Sequence, residues 1–209
     1  MNILPHETAQ ELKAKGSAQS RQYDFVTVLF TDFVGFTQIS EKLSPAELVS
    51  KINFYFSEFD RIISSHNLEK IKTIGDSYMC AGGLPVSNET HAADAVYAAI
   101  EIRDFINQQA KKDLEKNLPF FQIRIGIHTG PVVAGIVGIK KFAYDIWGDT
   151  VNTASRLESS GEPGMINISQ STRDRVNHLF HCVHRGKVNA KGKGEIDMYF
   201  VDSLILAEK

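Results

Sequence analysis

The run Phe25-Val26-Thr27-Val28-Leu29-Phe30 leads directly into Thr31-Asp32-Phe33-Val34-Gly35-Phe36-Thr37. An apolar, β-branched run of this length reads as a buried strand. It delivers one carboxylate, Asp32, into a turn that contains a glycine and then opens a helical pattern. Backbone N–H groups at such a turn, close to a helix start, form a cradle for phosphate. A carboxylate beside the cradle suits a divalent cation, because hard cations take oxygen ligands. Taken by itself, the stretch reads first as a helix cap, with Asp32 serving only the next helix.

The remaining chain sets the bounds. A length of 209 residues with 43% hydrophobic content fits one domain with a packed core. A net charge of −2 lacks the basic footprint of a nucleic-acid binder. No apolar run reaches membrane-spanning length, and no signal peptide is legible. Cys80 and Cys182 form no CxxC pair; the expectation is a reduced, cytoplasmic chain.

Residues 1–22 read as a lead-in: a short helix from about Glu7 to Lys15, stopped by Gly16, and then a loop. The folded part is expected over 23–203, with a tail at 204–209. Ser44-Pro45-Ala46-Glu47 opens a helix with a serine cap and proline at the first helical position. That helix continues at 3.6-residue spacing to Ile63. Leu68–Ile74 and Ser77–Ala81 pattern as a hairpin around Gly75-Asp76. A long helix is expected from about Glu89 to Gln109, and then a strand from Phe121 to Thr129 that Gly130-Pro131 breaks. A second strand should run over Val132–Ile139, with a loop over 140–148. A helix from Asp149 to Leu157, a strand at 166–168 and a helix to Val176 follow. A final hairpin crosses Lys191-Gly192-Lys193-Gly194. This order implies an α+β fold with a ferredoxin-like, palm-type βαββαβ core. The sheet should be antiparallel-rich, with helices on one side and an extra C-terminal hairpin.

Asp76 at the hairpin turn is the second acid of interest. If the first strand lies beside this hairpin, Asp32 and Asp76 emerge together at one sheet edge. Two carboxylates there suit a two-metal clamp for in-line phosphoryl chemistry.

The stretch Phe30–Thr37 resembles the opening motif of the class III nucleotidyl cyclase catalytic domain, and so does Lys70-Ile71-Lys72-Thr73-Ile74-Gly75-Asp76-Ser77-Tyr78-Met79. Arg124-Ile125-Gly126-Ile127-His128-Thr129-Gly130 is similar to the family's central strand. Tyr144–Arg156 is close to a family signature, and Ala190–Gly194 to its last turn. The five motifs stand in the family's order across residues 23–203.

The resemblance implies an adenylyl cyclase of the homodimeric type, making 3′,5′-cyclic AMP and pyrophosphate from ATP. It implies two Mg²⁺ or Mn²⁺ ions per active site, on Asp32 and Asp76. Backbone amides of Phe33, Val34, Gly35 and Phe36 would meet the triphosphate, with Arg124 and Lys191 as further phosphate ligands; Lys193 is the weaker candidate. Without the resemblance, Arg124 reads as the partner of a surface acid. Asn152 and Arg156, at i and i+4, share one helix face. The resemblance gives Asn152 the ribose and Arg156 the charge building on the α-phosphate, a task suited to a planar, permanently charged guanidinium. Lys72 and Asp145 match the base-reading pair; guanylyl cyclases of the family typically carry glutamate and cysteine there, so ATP is expected over GTP.

The resemblance also divides the site. Asp32, Asp76 and Arg124 come from one protomer, and Lys72, Asp145, Asn152, Arg156 and Lys191 from the other. The lead-in resembles those that join such domains to an upstream regulatory or sensor module. Expected partners are therefore ATP and a second copy of the chain, with no nucleic acid and no membrane segment in these residues. The cluster His178, His181, Cys182 and His184 lacks zinc-site spacing, and His128 reads as a satisfied core histidine.

Overall fold

The computed structural model describes residues 4–138, 142–190 and 194–205. Helix α1 spans His6–Lys15, and Gly16 closes it in the left-handed conformation. Strand β1 is Arg21–Val34, followed by the short α2, Phe36–Ser40, and the long α3, Pro45–Ser65. The hairpin β2 (Glu69–Ile74) and β3 (Ser77–Gly82) leads to α4, His91–Glu115. Then come β4 (Gln122–Val137), β5 (Ala143–Trp147), α5 (Asp149–Ser159), β6 (Ile166–Ser169), α6 (Gln170–Val176), β7 (Phe180–Ala190) and β8 (Gly194–Leu204).

These strands form one eight-stranded sheet in the order β2-β3-β1-β4-β6-β8-β7, with β5 paired to β4. The β4–β6 pair is parallel and the others are antiparallel. This is the expected α+β architecture. β1 lies between β3 and β4, so Asp32, which stands inside the strand two residues before its end and not in the expected turn, is flanked on both sides.

The pleat of β1 splits the core in two. Leu29 and Phe33 join an aromatic-rich cluster with Tyr55 and Phe59 of α3, Ala95 and Ile102 of α4, and Val176 of α6. Val26, Val28 and Phe30 point the other way, against Met79, Val132, Ile146 and Ala154 of α5. Alternation of this kind follows from the two-residue period of a strand. Each such buried side chain contributes roughly 1.5–3 kcal/mol. Helix α3 starts as its sequence dictates: Ser44 and Glu47 form a reciprocal capping box with Pro45 behind the cap. α3, α4 and α6 hold the expected single face of the sheet, whereas α5 packs on the opposite one.

Three more expectations are corrected. Gly130-Pro131 does not end a strand; β4 runs through it to Val137. The register of β1 on β4 jumps from Tyr23↔Val132 to Val26↔Gly130. Two residues of β1 therefore oppose Pro131, and a bulge is where a sheet tolerates a residue with no N–H. Part of the expected loop at 140–148 is strand β5, whose pairing with β4 is a long-range contact that no local periodicity announces. Finally α4 continues beyond Gln109 to Glu115. His128 is buried and bonded through Nδ1 to Ser169 Oγ at 2.7 Å, as read. No helix among the described residues is long and apolar enough to cross a membrane.

Candidate active site

The antiparallel register places Asp32 directly opposite Arg124, and Thr31 opposite Tyr78. One step further along, Ser77 and the Asp76 turn face Asp32 from the other side. Ser77 Oγ donates to Asp32 Oδ1 at 2.6 Å, and Arg124 Nη2 donates to Asp32 Oδ2 at 3.0 Å. The capping role for Asp32 is thereby excluded: α2 is capped by Gly35, at φ 68°, with no side-chain bond. A positive φ of this size is the reason for glycine at that turn. The Phe33 ring is core, packed on Phe121 and Tyr55, so only its backbone is available to a ligand.

A third carboxylate completes this cluster. Arg124 Nε donates to Glu158 Oε1 at 2.9 Å, and the Glu158 side chain is 8% exposed. Burial first, and then the charge of Asp32, raise the Asp76 carboxyl above its ordinary value. The same two causes, in the same order, raise Glu158. Three carboxylates thus crowd one guanidinium, and the surplus negative charge favours a cation. Among the described residues no three His, Cys, Asp or Glu side chains group as a metal cage. Two carboxylates with the remaining positions left to phosphate and water is the habit of magnesium, so the donor set fits the expected ions.

Other site candidates make contacts of their own. Lys72 of β2 and Asp145 of β5 form an ion pair at 2.6 Å, and Asp145 Oδ1 also accepts from the Ile146 N–H at 2.8 Å. The two base-reading candidates, 73 positions apart, are side by side because β5 folds back along β4. Asn152 and Arg156 stand on the exposed side of α5. Arg156 Nη1 donates to the Asn189 carbonyl at 2.8 Å, beside the tip of the last hairpin. Lys191 and Lys193 lie outside the described residues.

The family model for the adenylate and guanylate cyclase catalytic domain matches residues 18–203. The chain belongs to the class III nucleotidyl cyclase family. It is 41% identical over 208 residues to human guanylyl cyclase C, covering 97% of this chain and 19% of that protein's length. The chain thus spans about a fifth of that relative. Among solved structures, the adenylyl cyclase CyaB from P. aeruginosa superimposes with a TM-score of 0.83 at 30% identity, covering 88% of this chain and 96% of that one. The guanylate cyclase domain of RhGC from Catenaria anguillulae, solved with GTP, gives 0.81 at 34% identity, covering 88% and 100%. Relatives of both base specificities therefore share this cyclase fold.

Within that cyclase frame, Glu158 and Ser77 are the neighbours of the site that motif reading passed over. Beside Arg156, Glu158 reads as part of a solvated helix face. The signal was nonetheless present. The buried positions of α5 are Thr150, Thr153, Ala154, Leu157 and Glu158, an i, i+3, i+4, i+7, i+8 stripe. Glu158 is the charged member of that stripe. Ser77 carries no such mark, since only strand pairing brings it to Asp32.

Proposed function

We propose that this chain is an adenylyl cyclase, converting ATP to 3′,5′-cyclic AMP and pyrophosphate at sites shared by two copies of the chain. The ribose 3′-hydroxyl gives its proton to water as its oxygen bonds to the α-phosphorus, the bond from that phosphorus to the bridging oxygen breaks, and pyrophosphate leaves with its electron pair. Asp32 and Asp76 would hold two Mg²⁺ or Mn²⁺ ions, which supply Lewis-acid activation of the hydroxyl and neutralise charge on the phosphates. Arg124 binds the triphosphate together with the backbone at Phe33–Phe36 and, from the partner copy, the equivalent of Lys191. Asn152 orients the ribose. Arg156 would lie beside the α-phosphate as charge grows there; its hydrogen bond to the Asn189 carbonyl engages a neutral acceptor.

The observation that carries the preference for ATP is the Lys72–Asp145 pair at 2.6 Å. Side by side, the two groups present a donor and an acceptor. Adenine answers with N1 as acceptor and its amine as donor. Guanine reverses both, so Lys72 would face an N–H and Asp145 a carbonyl oxygen, two mismatches that each leave a polar group unpaired. The named relatives include guanylyl cyclases, so the assignment rests on these two positions and not on overall likeness.

The division between copies is the one the family resemblance implies, and the unlike surroundings of the two groups support it. The acidic one is half-buried and internally bonded, while Asn152 and Arg156 face solvent. The test is a paired assay of purified protein with ATP or GTP and manganese over a range of protein concentrations. Cyclic AMP formation with specific activity rising with concentration is expected. Cyclic GTP as the main product overturns the base assignment. No cyclic product at any concentration leaves a nucleotide-binding module without turnover and overturns the proposal.

A further inference from the structure

Arg124 has two carboxylate partners of different character. Asp32 faces it across the β1–β4 ladder and is 21% exposed at the side chain. Asp32 is also the residue assigned to a cation, so its oxygens are open to competition. Glu158 comes from α5, is 8% exposed, and is fixed by the closest backbone approach in this region: a Cβ on Gly126 would lie 2.1 Å from the Glu158 nitrogen. Taking a carboxylate out of water costs several kcal/mol, and an apolar side chain in that stripe would serve stability as well or better. Its negative charge also opposes a bound triphosphate. What Glu158 does provide is geometry. It takes the Nε–H of Arg124, and in a rigid planar fork this fixes the plane in which the terminal nitrogens lie.

We propose that Glu158 is the positioning residue for Arg124, holding its guanidinium edge-on so that the terminal N–H groups face the Asp32–Asp76 edge where the nucleotide triphosphate binds. The inference rests on the proposed function. It assigns Glu158 a role within the same copy as Arg124, Asp32 and Asp76, even though its helix carries Asn152 and Arg156 for the other site.

The experiment is a calorimetric titration of the full chain with magnesium 3′-deoxy-ATP, which lacks the attacking hydroxyl and reads binding without turnover. Glu158→Gln, Arg124→Ala and the double variant complete a cycle. Glu158→Gln should weaken binding about tenfold, the scale of one charge-assisted hydrogen bond. Arg124→Ala should weaken it at least as much, and the double variant should be no weaker than Arg124→Ala alone. Losses that simply add mean that Glu158 does not act through Arg124, and overturn the inference. Tighter binding by Glu158→Gln does so too, because it marks Glu158 as a mere repelling charge. A parent chain that binds no nucleotide overturns the proposed function, and this inference with it.

A damaged α5 is separated by placement. In mixed dimers of Asp32→Ala with Arg156→Ala chains, Glu158→Gln is added to one chain or the other. The KM for ATP should rise about fivefold more when it sits on the chain supplying Asp32. Equal losses from both placements mean a purely structural effect on the helix and overturn the inference.

Discussion

The acidic cluster around Asp32 and the exposed face of α5 with Lys72 and Asp145 are built on opposite principles. The first is cross-linked: Ser77 and Arg124 both donate to Asp32, and Arg124 also donates to Glu158, in a half-buried group of surplus negative charge. The second is less tied: among the described residues the part-buried Lys72 and Asp145 bond to each other and to a backbone N–H, and the exposed Arg156 leans on a carbonyl. Under the proposed function, cations would offset the surplus charge of the first group, and the exposed Asn152 and Arg156 would face the nucleotide held by another copy. The contrast is what the proposed sharing of each site between two copies would require: two unlike halves on one chain.

The most severe way to break the comparison is to remove one residue from each half. Asp32→Ala and Arg156→Ala should each lower kcat by roughly 10³-fold or more, the scale of a lost transition-state arginine in phosphoryl transfer. Mixing the two variants should restore about a quarter of parent activity, because random two-fold pairing gives heterodimers with one intact site. A mixture that stays inactive while heterodimers form places both residues in the same half.

Exchanging the base readers tests the open half alone. Lys72→Glu with Asp145→Cys should shift the ATP-to-GTP ratio of kcat/KM about 10–100-fold toward GTP, the size expected from charged hydrogen bonds made or lost. The acidic half should not notice: titration with pyrophosphate and magnesium should give the parent affinity. An unchanged nucleotide ratio would remove the base-reading role.

Gly126→Ala joins the two halves in one failure. The added Cβ would press on the Glu158 nitrogen at 2.1 Å and the Ala154 carbonyl at 2.7 Å, both backbone of α5. Such overpacking should cost about 3 kcal/mol in a denaturant melt. It should also impair the variant in both complementation arms, paired with Asp32→Ala or with Arg156→Ala. Full complementation in either arm would show that α5 is not the shared support.

The smallest effect concerns Asp76. Burial and the charge of Asp32 raise its carboxyl in the folded state. The folded chain then holds that proton more tightly than the unfolded one. The contribution is fully present below the ordinary carboxylate value and is lost as pH rises through the folded value. With a chelator at neutral pH, Asp76→Asn should therefore melt slightly above the parent, and the gap should close below about pH 4. Manganese should reverse the order by stabilising the parent alone. Identical melting under both conditions would dissociate Asp76 from any cation.

How far the sequence was legible differs between the halves for a physical reason. Asp32, Asp76, Asn152 and Arg156 sit at marked local positions: a strand end, a hairpin turn and one helix face. Strand alternation and helix periodicity locate those without tertiary information. The Ser44 capping box and the hairpin at Gly75-Asp76 were likewise written locally. β5 was not, because a five-residue strand that pairs only through β4 has no periodicity of its own to read. Pro131 misled for the complementary reason: proline breaks a regular ladder, and only the partner strand's extra residue accommodates it.

By itself, then, the sequence determined most of the elements, the alternation of β1, the shared helix face of Asn152 and Arg156, and the motifs that mark the family. Only the tertiary structure decided which charges meet. It set Arg124 between Asp32 and Glu158, brought Lys72 to Asp145, and turned α5 onto the face opposite α3 and α4. Periodicity is a property of neighbours along the chain, whereas an ion pair depends on the register of strands and on a glycine small enough to let a helix backbone rest on the sheet.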